Sequence, residues 1–62
     1  MKVKEVLELL KKRGWYISRT RGSHRQLKND RMTGTVTLAG AMNSDVRPKT
    51  LSRIRQQAHL SK

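Results

Sequence analysis

The chain has 62 residues and a formal charge of +11, with fifteen Lys and Arg set against only Glu5, Glu8, Asp30 and Asp45. That length allows one small domain, residues 1–62, and excludes a deep enclosed substrate cavity, so an active site belongs on the surface or at an interface. The absence of cysteine excludes a disulfide framework and a thiolate zinc site, and fits a reducing compartment.

Glu5 and Glu8 interrupt the first residues, so the unbroken apolar run of a signal peptide or membrane span is missing, and a soluble cytoplasmic protein is expected. Val3, Val6, Leu7 and Leu10 fall at helical spacing and predict an amphipathic helix over residues 3–13, with Lys11, Lys12 and Arg13 complementing its negative end and Gly14 as C-cap. From Trp15 to Thr20 the residues become aromatic and β-branched, which predicts a first strand. Arg21-Gly22-Ser23 is expected to be a tight turn, His24 to Lys28 a second strand, residues 29–34 a polar loop and Thr35 to Leu38 a third strand. After a small-residue connection over 39–45, Pro48 can open a second helix with Leu51, Ile54 and Ala58 as its apolar stripe and Arg47, Lys49, Arg53 and Arg55 on its outer face. The expected architecture is α+β, helix, antiparallel three-stranded meander, helix, with both helices on one face of the sheet.

Seven cations and no acid lie between Lys11 and Lys28, denser than solubility requires and suited to a phosphate backbone. If six to ten cations reached phosphates, affinity would fall by roughly 10^3 to 10^5 between 50 and 200 mM salt. A merely solubilising surface and an acidic protein partner are the competing explanations of the charge.

Strand alternation locates the chemistry. With Leu27 facing the core, His24, Gln26 and Lys28 face the side that the helices leave open, joined by Tyr16, Ser18 and Thr20 from the first strand and Thr35 and Thr37 from the third. Arg21, Arg25 and Lys28 are near enough in sequence to His24 to stabilise anionic oxygen. Tyr16 is the better candidate for stacking on a base, because Trp15, the only tryptophan of a tiny domain, belongs in the core. No metal site is expected: the only other histidine is His59, and the four carboxylates are scattered. Ser23 beside His24 points the opposite way, which disfavours a Ser-His-Asp arrangement, and no phosphate-cradling Gly-rich loop occurs. Proton transfer on a phosphodiester is left.

Gly22-Ser23-His24-Arg25-Gln26, between Gly14-Trp15 and Gly34-Thr35-Val36-Thr37, resembles the HicA family of mRNA-interferase toxins from bacterial toxin-antitoxin modules, and the similarity extends to the closing stretch from Pro48 to Leu60. The resemblance implies a double-stranded-RNA-binding-like α-β-β-β-α fold, cleavage of mRNA that depends on His24, a turn shaped by Gly22 and Ser23, and neutralisation by a HicB-type antitoxin. Because desolvating so basic a surface without compensating charge is costly, that antitoxin is expected to be acidic and to cover the His24 face. Leu27 stands where many relatives have phenylalanine, Asn29-Asp30 replaces a frequent His-Pro pair, and His59 takes a place usually held by glycine. The second departure leaves His24 without a sequence-near histidine as proton partner. The expected function is thus a cofactor-free, metal-independent endoribonuclease in which His24 handles a proton, with RNA contacts from Arg21, Arg25, Lys28, Tyr16, Gln26, Lys49 and Arg53. The alternative is a non-catalytic basic RNA-binding domain; a DNA-binding regulator is disfavoured, since a meander separates the helices.

Overall fold

The computed structural model describes residues 1–60. Its elements are α1 (Val3–Lys12), β1 (Trp15–Arg21), β2 (His24–Asn29), β3 (Met32–Ala39) and α2 (Pro48–Gln57), and the antiparallel sheet has the order β1-β2-β3. The expected α-β-β-β-α order, the meander and the helix-covered face are all present.

The apolar stripe of α1 is buried as its spacing demands: Val3, Val6, Leu7 and Leu10 meet Trp15, Leu27, Val36 and Leu38 from the sheet and Ile54 and Ala58 from the second helix region. Leu51 is half-buried at the edge of this cluster, which Val46 and Leu60 complete. Trp15 is only 2 % exposed, although its buried Nε1 donor has no partner among the described residues. Burying an indole removes on the order of 200 Å² from water, about 5 kcal/mol, whereas an unpaired donor costs about 1–3 kcal/mol, so packing wins.

Helix termini explain the loops. The backbone N–H groups of Val3 and Lys4 donate to the carbonyls of Ser44 (2.8 Å) and Met42 (3.0 Å), so the connection after β3 satisfies donors that the first turn of α1 would leave orphaned. Glu5 adds to this by accepting from the Lys2 backbone N–H at 2.7 Å. At the far end Arg13 is the cap rather than a helical residue, and Gly14 takes φ +94° beside the buried amide of Asn29. Asn29 Nδ2 donates to the Arg13 carbonyl (3.0 Å) and its Oδ1 accepts from Arg31 N–H (2.9 Å), tying the end of α1 to the β2–β3 turn.

After α2 the N–H of His59 donates to the Gln56 carbonyl and that of Leu60 to the Arg55 carbonyl, the paired closure of a Schellman motif, with His59 at φ +56° and Leu60 buried behind it. Glycine is the natural residue at such a position, because a Cβ there crowds the backbone. His59→Gly is expected to raise stability by about 0.5–1 kcal/mol in chemical denaturation. A destabilised variant would mean that the imidazole makes a compensating contact.

The structure corrects four strand boundaries, the ends of all three strands, each one residue later than expected, and the start of β3. β1 runs through Arg21, so the first turn is Gly22-Ser23 alone; Gly22 at φ +59° followed by a residue of negative φ is the pattern of a type II′ hairpin turn, whose twist matches that of the strands. The second turn is only Asp30-Arg31, and residues 32–34, expected in a loop, belong to β3, where the register slips between Leu27 and Asn29 and Gly34 takes φ +91°. β1 carries a bulge at Ser18: Ile17 pairs with Leu27 but Arg19 pairs with Gln26. Beyond that bulge Thr20 shares the helix-covered side with Arg25, and Arg19 and Arg21 take the open side where alternation placed Ser18 and Thr20.

Candidate nucleic-acid site on the open sheet face

His24 is the first residue of β2, the central strand, and is exposed. The two-residue turn before it fixes its place, pairing it with Arg21 on one side and Ala39 on the other. Directly opposed residues of antiparallel strands lie on the same face with Cβ atoms about 4.5–5.5 Å apart, so the imidazole has a guanidinium on one flank and only a methyl group on the other. The next pair along the face is Gln26 with Arg19 and Thr37. Arg19, Arg21, His24, Gln26 and Thr37 line a shallow concavity, which Thr20 borders from between the two arginines. Among the described residues no carboxylate lines it.

Lys28 and Tyr16 oppose each other farther along the same face, four residues or about 13 Å of strand from His24. The Tyr16 hydroxyl donates to Asp30 Oδ1 at 3.2 Å, and the negative charge and hydrogen bond of that carboxylate push the phenol above its ordinary pKa. A raised folded-state pKa means that this interaction is present while the phenol keeps its proton and is lost as pH climbs through the raised value. Asp30→Asn should return the single tyrosine to the ordinary alkaline range in an ultraviolet titration; an unchanged midpoint would contradict the contact.

Other expected contact residues lie apart from this face. Arg25 pairs with Leu38 and Thr20 on the helix side, where it is half-buried, and its Nη1 donates to the carbonyls of Gly40 (3.0 Å) and Ser23 (3.2 Å). Its guanidinium fastens the Gly22-Ser23 turn to the end of β3. Arg25→Ala should therefore lower stability by about 1–3 kcal/mol, the cost of charged hydrogen bonds to backbone, in thermal unfolding. An unaltered melting temperature would free Arg25 for a role elsewhere. Lys49 and Arg53 are exposed on α2, in the layer behind the sheet, and cannot join His24 on one phosphate. Among the described residues no three His, Asp or Glu side chains come together, and no helix is long and apolar enough to cross a membrane.

A family model, the HicA toxin of bacterial toxin-antitoxin, matches residues 3–60. The chain belongs to the HicA toxin family. A search of curated proteins found no match. Membership makes the chain the toxin component of a module that includes an antitoxin partner. Asn29 is buried on the helix side of the sheet and so faces away from His24.

Arg19 is the open-face residue that sequence reasoning missed. Its signal was a conflict of parity, since strict alternation from Trp15 and Ile17 puts two arginines on the core side, and charge there demands either a partner or a register change.

Proposed function

We propose that this toxin is an endoribonuclease that cleaves single-stranded mRNA by transesterification, and that a HicB-type antitoxin silences it by covering the His24 face. The supporting observation is an exposed imidazole on the central strand, paired with Arg21 in a cationic concavity that, among the described residues, no carboxylate lines. RNA brings its own nucleophile, so such a surface needs to supply only proton transfer and positive charge. The 2′-oxygen bonds to the adjacent phosphorus as its proton leaves to a base. The phosphorus–5′-oxygen bond then breaks, and that oxygen gains a proton, giving a 2′,3′-cyclic phosphate and a 5′-hydroxyl end. His24 fills one of these proton roles and solvent at the open face completes the other. Arg21 offsets the negative charge that grows on the phosphoryl oxygens. No step calls for a metal or an organic cofactor.

The rest of the face suits a single strand. Tyr16 offers a ring for base stacking and Lys28 a cation beside it, while Gln26 can hydrogen-bond a base or ribose within the concavity. Gly22 and Ser23 form the turn that fixes where His24 stands. An antitoxin that buries this face must carry acidic side chains, because desolvating so many cations without compensation is costly. In the complex His24 should be protected from imidazole acylation; full reactivity would rule out steric coverage.

The test of the activity is incubation of the purified chain with a defined mRNA in EDTA, reading both new ends. Cleavage with 5′-hydroxyl ends supports the proposal. Fragments with 5′-phosphates would point to hydrolysis by an activated water. Binding without cleavage would favour a non-catalytic RNA-binding domain, a reading that draws on the exposed Lys49 and Arg53 behind the sheet.

A further inference from the structure

We infer that Arg19 is the second cation on the scissile phosphate, taking the role beside Arg21 that sequence proximity assigns to Arg25. This rests on the ribonuclease reading above. Without the Ser18 bulge Arg19 would share a face with Ile17; with it, Arg19 opposes Gln26 and shares a face with His24. Because His24 opposes Arg21, Arg19 is its diagonal neighbour two residues back along β1. Diagonal neighbours lie about 7–8 Å apart, within reach of a long side chain, so a phosphate seated against the imidazole lies within range of both guanidinium groups. Both arginines line the same concavity as His24.

Two further observations separate Arg19 from the other cations near in sequence. Arg25 has its guanidinium on the carbonyls of Gly40 and Ser23, on the other side of the sheet. Lys28 stands about 13 Å of strand away, opposite Tyr16, and serves a different part of the RNA. Arginine suits the place chemically, since its planar fork can donate two parallel hydrogen bonds to the non-bridging oxygens on which charge accumulates as the 2′-oxygen adds to phosphorus. The bulge thus places an arginine on each side of Thr20 at the rim of the site.

The experiment compares single-turnover cleavage at saturating RNA by the full chain, Arg19→Ala, Arg19→Lys and Lys4→Ala, the last changing an exposed cation on α1. Arg19→Ala should lower the rate constant about 100-fold, the usual loss of one transition-state donor, while RNA affinity falls far less. Arg19→Lys should recover part of the rate, and Lys4→Ala should cleave as the unaltered chain does. Replacing one non-bridging oxygen of the scissile phosphate by sulfur should slow the unaltered chain and have a smaller effect on Arg19→Ala. A rate unaffected by Arg19→Ala, a loss confined to affinity, or an undiminished sulfur effect would overturn the inference and leave the ribonuclease reading standing. Absence of cleavage by the unaltered chain would overturn both.

Discussion

Replacing His24 by alanine should lower RNA cleavage by roughly 10^2 to 10^4 while leaving RNA binding and the folded state intact, because a positioned proton-transfer group typically contributes that much. The two expectations follow from one placement. His24 is exposed on the open face and contributes nothing to the buried cluster, so its removal creates no cavity and stability should stay within about 0.5 kcal/mol. The phosphate-attracting surface also survives, since Arg19, Arg21 and Lys28 remain on that face. Cleavage rates and RNA affinities measured together on one substrate check both halves. A variant that cleaves at the unaltered rate would remove His24 from the chemistry, and one that fails to bind would make it an affinity residue.

Leu27→Ala is expected to leave the chain largely unfolded. Leu27 is fully buried on the central strand, where it pairs with Ile17 on one side and Val36 on the other, beneath both helices. Truncating such a leucine costs about 2–5 kcal/mol through lost transfer energy and residual cavity. A core in a domain this small supplies roughly 3–5 kcal/mol in all, so the loss consumes most of the margin. Its neighbour Lys28, one residue on and facing the other way, provides the contrast: Lys28→Ala should shift stability by less than about 0.5 kcal/mol. Urea denaturation of the two variants tests the division of β2 into a core side and a site side. Equal stabilities would mean that the strand is not packed as described.

Much of this division was legible in the sequence. The helical spacing of Val3, Val6, Leu7 and Leu10 and the opening Pro48 correctly gave two helices, and Leu27 with Val36 and Leu38 correctly gave the covered side of the sheet. His24, Gln26, Lys28 and Tyr16 fell on the open side because alternation from Leu27 and from Trp15 holds as far as the first bulge. Past Ser18 alternation fails, and with it the expected side of Thr20 and the unnoticed side of Arg19. A bulge is decided by the fit of one strand to its neighbour, which a single strand's pattern registers only as misplaced charge. Arg25 illustrates another limit: its charge suggested a phosphate, but the turn at Gly22-Ser23 leaves carbonyls within its reach on the helix side. Asn29 reads as part of a loop because polar residues cluster after it, whereas in the fold its amide is what the open carbonyl of Arg13 requires. Val46 and Leu60 lie outside any periodic stripe, and only the closure of the chain over the core shows that they are buried.

The central claim is that this face supplies proton transfer and positive charge while the RNA supplies the nucleophile. The most direct test maps a cleavage point and then replaces the single ribose on the 5′ side of that bond by 2′-deoxyribose, with no other change to the strand. The account predicts that cleavage at that bond disappears while affinity is retained. Continued cleavage of the deoxy-substituted bond would show that water is the nucleophile, and would contradict the account.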